Sequence, residues 1–214
     1  MDKYQNFFNK AIVVILMLFS LIGMSSISTA AEMSAPQALV KASSDKMMQS
    51  LKDNKLQLET DPDLIYGIVA DVLMPHFDFN KMAKLALGKN WRGLTDTQKL
   101  RFTAEFRLLL IRTYATAMLE YTDEEIRFLP FRDDVKRKRV QVGTEIIQKG
   151  GGPVIPMTLA LYQNKSDEWK VYDVKIDGIS LVTNYRSTFA TEIRNDGVDR
   201  LIERLSSKNE KVKV

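Results

Sequence analysis

Residues 139–147 read Arg139-Val-Gln-Val-Gly-Thr-Glu-Ile-Ile147, and apolar and polar side chains alternate along most of this segment. A period of two residues is typical of a strand with one buried face. The side expected to face the core carries Val140, Val142, Thr144 and Ile146. We therefore expect an extended strand here, packed on one face.

Three further extended segments surround this strand. An extended stretch begins near Ile126, and strands are expected at 154–161 and 169–176. The glycine-rich segment 150–153 and the polar segment 163–168 have the composition of turns. Because strands joined by short turns pair antiparallel, we predict a twisted antiparallel sheet of about four strands over 126–176.

Helical patterns flank the sheet in the sequence, at about 36–121 and about 180–206. Asp78 is placed to cap a short helix, and Thr95 with Gln98 forms a capping box that begins a long helix. Gly197 is expected to interrupt the last helical stretch. The order of helices, strands and helices predicts an α+β fold, with residues 32–214 as a single domain.

The first 31 residues have the pattern of a secretory signal peptide. Lys3 and Lys10 precede the apolar run 11–22, and small residues follow up to Ala30 and Ala31, where we expect cleavage. The alternative is a membrane anchor, but a run of about 12 residues is short against the roughly 20 that span a bilayer. We therefore predict an exported protein.

The composition excludes several kinds of site. The chain has no cysteine and a single histidine, His76, so it has no disulfide, no thiolate nucleophile and no zinc site built on sulfur. No phosphate-binding loop or nucleophile elbow is present. A net charge of +4 without a basic, aromatic stripe does not indicate nucleic-acid binding. We predict no catalytic residue, no metal and no cofactor.

The large apolar side chains exceed what one simple core requires. The ordinary interpretation is a hydrophobic core, and the alternative is an apolar pocket between the sheet and the helices. The basic run Lys136–Arg139 is either a solvated loop or a contact for an anion or an acidic partner. The residues alone leave both choices open.

Several segments together carry a family resemblance: Pro75–Phe79, Leu87–Arg92, Trp169–Val174, Gly178–Val182 and Asn184–Ser187. With them the chain resembles the MlaC family, also called the toluene-tolerance auxiliary family. Its members are periplasmic phospholipid-binding proteins of the Mla lipid-transport system. The resemblance covers nearly all of the chain after the signal segment.

The resemblance implies a fold related to nuclear transport factor 2, with a helical elaboration, and a phospholipid held by its acyl chains. It also implies lipid exchange between an outer-membrane lipoprotein–porin complex and an inner-membrane ABC transporter complex with its MCE-domain subunit. It implies neither catalysis nor a metal. The protein is then expected in the periplasm, after signal-peptide cleavage.

The candidate lining of the pocket consists of residues on the apolar sides of the predicted helices and strands. The twelve residues are Phe79, Leu87, Phe106, Leu110, Tyr114, Val142, Met157, Leu159, Val171, Val174, Ile179 and Tyr185. Glutamate at Met157 or Val171 should abolish lipid copurification and leave the fold largely intact. Near a head group or a partner we expect Arg92, Lys136, Arg137 and Arg186.

Two other functional classes stay open. One is an isomerase- or dehydratase-like periplasmic enzyme on a similar fold, which would need an acid or base in the pocket, such as Asp173 or His76. The other is an adaptor of an ABC transporter that binds only protein. A phospholipid adduct on the purified protein would separate the carrier from the adaptor.

Overall fold

The computed structural model describes residues 33–119 and 124–210. The predicted signal peptide over 1–31 and the predicted end of the long helix near Tyr121 lie outside the described residues. The division of the chain into a signal segment and one domain therefore stays a prediction.

Within the described residues, five α-helices precede the sheet. They are α1 (Ala35–Asp53), α2 (Lys55–Thr60), α3 (Leu64–Val72), α4 (Phe79–Leu87) and α5 (Asp96–Met118). Short 3-10 helices at Met74–His76 and Gly88–Gly93 join them. None of the helices within residues 33–119 and 124–210 is long and apolar enough to cross a membrane.

The predicted helix caps are present. The Asp78 carboxylate accepts a hydrogen bond from the Lys81 backbone N–H at 2.9 Å and begins α4. Thr95 and Gln98 form the reciprocal capping box that begins α5. These bonds satisfy backbone N–H groups that the first helical turn leaves without partners.

The sheet has the strand order β1-β2-β3-β4-β5 with antiparallel neighbours. Its strands are β1 (Glu125–Phe128), β2 (Arg139–Ile147), β3 (Ile155–Gln163), β4 (Trp169–Ile176) and β5 (Ile179–Ser180). A 3-10 helix at Val135–Arg137 precedes β2. The predicted α+β fold is confirmed, and the sheet has one short strand more than the four expected.

The extra strand follows from the turn at Asp177 and Gly178. Both residues have positive φ, 50° and 78°, which is the backbone of a two-residue hairpin turn. The chain therefore reverses and pairs Ile179 with Ile176 before Ser180 begins the last helix. The predicted strand ends at residue 176 and the predicted helix begins near residue 180, so the hairpin between them was missed.

The last helix, α6 (Leu181–Asn209), is kinked at Gly197, whose φ of 81° and ψ of 166° are not helical. This conformation is essentially restricted to glycine. The prediction that Gly197 interrupts the helical stretch is confirmed.

The helices and the sheet build separate hydrophobic clusters. Residues of α4, α5 and α6 form one cluster, with Met82, Phe102 and Phe189 at its centre. A second cluster joins the C-terminal half of α1 to α3 and α5. The N-terminal half of α1 instead packs on the sheet through Val40. Helix α1 thus spans from the helical layer to the sheet.

Candidate functional site

One face of the sheet is apolar, and we call the following residues together the apolar sheet face. Its buried members are Val40, Val140, Val142, Leu159, Leu161, Val171 and Val174, and its half-buried members are Leu39, Phe77, Phe128, Phe131, Met157, Trp169, Ile176 and Leu181. Strand register sets Leu159 beside both Val142 and Val174. In β2 and β3 the members are two residues apart and so point to the same side of the strand. In β4 a register shift opposite Ala160 and Leu161 brings Val171 and Val174, three residues apart, to the same face.

Five of the twelve predicted lining residues meet on this face: Val142, Met157, Leu159, Val171 and Val174. Eight members of this face are only half-buried, so part of their apolar surface is accessible. A partly covered hydrocarbon surface of this kind is available to an apolar ligand. The sheet part of the predicted lining is therefore brought together, and its role in binding stays a prediction.

Six other predicted residues belong to the helical cluster of α4, α5 and α6. Leu87, Phe106 and Leu110 are buried there, and Phe79, Tyr114 and Tyr185 pack against it half-buried. The Phe106 ring meets the Tyr185 ring edge to face at a centroid distance of 5.5 Å. Burial raises the pKa of Tyr114 to about 12, and the neighbouring Tyr185 adds to that shift. These side chains hold helix to helix.

Ile179 lies in the two-residue strand β5 and is 59 % exposed. It belongs to none of the three hydrophobic clusters. Strand parity predicted that the Ile179 side chain points inward. The hairpin turn at Asp177 and Gly178 sets the orientation of Ile179 instead.

Phe77 joins the helical cluster to the apolar sheet face, since it packs against both. Its ring lies 5.9 Å from that of Phe79, centroid to centroid. The next backbone N–H, of Asp78, donates to the Val171 carbonyl at 2.9 Å, where Phe77 forms a parallel bridge with Val171. The junction of sheet and helices thus lies at 77–79.

Ten members of the apolar sheet face are absent from the predicted lining: Leu39, Val40, Phe77, Phe128, Phe131, Val140, Leu161, Trp169, Ile176 and Leu181. Ile176 shares the strand parity of Val174 across one intervening residue, so that signal was available. Phe77 and Phe131 lie in short segments without a periodic pattern, and only tertiary packing places them.

Polar side chains fasten α4 to the sheet next to this junction. The Tyr162 hydroxyl donates to the Asp78 carboxylate, and the Lys81 ammonium lies 3.2 Å from the Tyr162 ring centroid. Burial, with the hydrogen bond to Asp78, raises the pKa of Tyr162 to about 12. Burial, together with the nearby Arg139, lowers the pKa of Lys81, while Asp78 acts in the opposite direction. Asp78, Lys81 and Tyr162 thus interact with one another.

Asp173 and His76 were considered above as an acid or base, and the contacts of Asp173 give it a structural role. Asp173 accepts from the Ser180 hydroxyl at 2.7 Å and from the Val182 N–H at 3.3 Å, so it holds the N-terminus of α6. Burial lowers the pKa of His76, and Lys170 and Lys46 act in the same direction. Over the described parts of the chain, no three His, Asp or Glu side chains converge as metal ligands would.

The predicted basic contact residues are all exposed. Lys136 and Arg137 lie in the 3-10 helix before β2, where the Asp134 carboxylate accepts from the Lys136 N–H at 2.9 Å. Arg186 has a structural partner, because its Nε donates to the Leu85 carbonyl near the end of α4 at 2.8 Å.

Comparison with known proteins places this arrangement in a family. The family described as MlaC protein matches residues 41–207, most of the chain. The chain belongs to the MlaC family. The family resemblance drawn from the sequence is thereby confirmed.

Two curated relatives extend the match. The intermembrane phospholipid transport system binding protein MlaC of Haemophilus influenzae is 25 % identical over 178 residues, 83 % of each chain. The toluene tolerance protein ttg2D of Pseudomonas putida is 30 % identical over 165 residues, 77 % of this chain and 75 % of the relative.

A solved structure shares the fold of this MlaC family member. The phospholipid-binding protein from Ralstonia solanacearum, in complex with a phospholipid, matches with a TM-score of 0.74 and 26 % identity. The match covers 82 % of this chain and 97 % of that one. The likeness therefore includes both the helices and the sheet.

Proposed function

We propose that this protein is a phospholipid carrier that holds acyl chains against the apolar sheet face. The observation that carries the proposal is the partial burial of that face, in which Phe77, Phe128, Phe131 and Met157 remain partly accessible. Solvent contact of so many large apolar side chains is costly unless a ligand or partner covers them. A relative named as a phospholipid transport system binding protein, and one solved with a phospholipid, support the choice of ligand.

The energetics favour such a carrier. Two acyl chains contain on the order of 28 methylenes, each contributing roughly 0.8 kcal/mol on leaving water, or about 20 kcal/mol in all. The head group remains hydrated without loss, so only the chains require shelter. Release then needs a partner with a comparably apolar surface.

The place of the carrier between membranes belongs to the same proposal. An exported protein that covers lipid chains would exchange them with an outer-membrane lipoprotein–porin complex and an inner-membrane ABC transporter complex with its MCE-domain subunit. The predicted signal segment and the relative's name as an intermembrane transport protein support this route. No step requires an acid or base, and Asp173 already holds the N-terminus of α6.

Native mass spectrometry of the purified protein tests the proposal. We expect an adduct of phospholipid mass, and extraction should return phospholipid in the same proportion. A spectrum of protein alone across preparations from lipid-replete cells would refute the carrier and favour the adaptor.

A further inference from the structure

A cleft of about 270 Å³ lies between α5 and α6, apart from the apolar sheet face. Leu109, Phe189 and Leu205 form its apolar wall. Arg112 and Lys208 bring positive charge to it. Its volume is below the roughly 300–1,000 Å³ of sites for larger organic ligands, so it suits a small group.

Arg112 lines this cleft and has one hydrogen-bond donor without a partner. Its Nε is buried and has no hydrogen-bond partner among the described residues. Nor does any described carboxylate form a salt bridge with it. A buried donor of a charged group without a partner is unfavourable, and such a group calls for a specific explanation.

The one carboxylate of the cleft is already engaged. Glu192 accepts two hydrogen bonds from Arg204, at 2.7 and 2.9 Å, in a bidentate pair. That pair neutralises both partners and leaves the charges of Arg112 and Lys208 in excess. The excess positive charge favours an anion.

The neighbouring cleft provides a contrast, because it shares Glu192 and Arg204 but adds the carboxylates of Asp196 and Glu203 and only one further cation, Arg200. Arg200 pairs with Glu203 at 3.1 Å. The neighbouring cleft therefore has a negative formal charge and does not favour an anion. Of these two clefts, only the one lined by Arg112 has an excess of positive charge.

We propose that the cleft between α5 and α6 binds the phosphate group of a phosphate ester through Arg112 and Lys208. A planar guanidinium presents two parallel donors, which match two phosphate oxygens. Leu109, Phe189 and Leu205 accommodate the carbon part of a small ester. Two sources have this chemistry, a free phosphate ester and a phospholipid head group, and only the second rests on the proposed function.

Glycerol phosphate titrated into isotope-labelled protein tests the site. We expect saturable shifts of the backbone amide signals of Arg112 and Thr188, which lie at the cleft. Arg112→Met should weaken the affinity at least about tenfold, as for loss of a charge-assisted hydrogen bond. The matched control, Arg200→Met in the neighbouring cleft, should leave the affinity unchanged. Absence of saturable shifts, or equal weakening by both variants, would overturn the proposal.

Arg112→Lys covers the case in which the methionine variant does not fold. It keeps the charge and loses the planar donor pair, so we expect weaker binding, and an unchanged affinity overturns the role of the guanidinium. A short-chain phospholipid that competes with glycerol phosphate at the same amides identifies the head group as the source. Failure to compete identifies the free ester. Purified protein that contains lipid but shows no phosphate response refutes the cleft site alone.

Discussion

Met157→Glu is the substitution that most directly tests lipid binding at the apolar sheet face. Met157 is half-buried on this face, between Thr144 of β2 and Ile176 of β4. A carboxylate there would face the acyl chains of a bound lipid, where an ion loses several kcal/mol of hydration. A penalty of about 3 kcal/mol corresponds to roughly 150-fold weaker affinity.

The fold should tolerate this change. A half-buried methionine contributes about half of the roughly 1.5–3 kcal/mol of a fully buried side chain, so we expect a loss of about 1 kcal/mol. Without lipid the new carboxylate can turn to water. Val171 is different, since it is only 2 % exposed and pairs with Leu161. A charge there would be buried without a partner, so Val171→Glu should unfold the protein. This burial corrects the sequence-based expectation that the variant at Val171 would keep its fold.

The assay compares the lipid-bound fraction in native mass spectra with thermal unfolding of the same samples. Val154→Glu is the matched control, because Val154 immediately precedes β3 and is 45 % exposed. It should retain lipid and stability. A folded Met157→Glu protein with the lipid content of the unchanged protein would refute binding at this face.

Three further changes test the local structure. Asp173→Ala should lower the free energy of unfolding in urea by about 1 kcal/mol, because the Ser180 hydroxyl and the Val182 N–H at the start of α6 lose their acceptor; an unchanged value would contradict that role. Tyr114 and Tyr162, both with pKa raised to about 12, favour the folded state fully below pH 10, and this contribution is lost as the pH rises towards 12. Tyrosinate absorbance as a function of pH, compared with unfolding free energies at the same pH values, measures this contribution. Ionisation of both tyrosines with a pKa of 10 would contradict their burial. Gly197→Ala should lower the free energy of unfolding by about 1–3 kcal/mol, because Gly197 has a positive φ. Gly67→Ala inside α3 should instead raise it by about 0.5–1 kcal/mol, and urea unfolding measures both changes.

Local pattern predicted the elements well where one physical period dominates. The predicted bounds of β2 and β4 agree with the structure residue for residue. Asp78 and the Thr95–Gln98 pair cap the helices expected of them, because capping bonds span only three residues. The hairpin at Asp177 was missed, since its positive φ depends on a turn type that the strand pattern does not reveal.

The candidate site could be predicted only in part. Parity identified Val142 and Leu159 as inward residues, and register joins them on one face. It gave no means to separate them from Phe106 or Leu110, which face inward equally but pack among helices. Helical and strand periods indicate that a side chain is buried, not which element it meets.

The α+β order of elements, the helix caps and the MlaC family can all be predicted from the residues, because they depend on local periods and on motifs within short segments. Tertiary packing is needed to tell which apolar residues form the sheet face and which form the helical cluster. It also decided that Phe77 joins the two, and that Arg112 and Lys208 meet in one cleft. These groupings unite residues far apart in the chain, and packing and charge act over distance in space, not over separation in sequence.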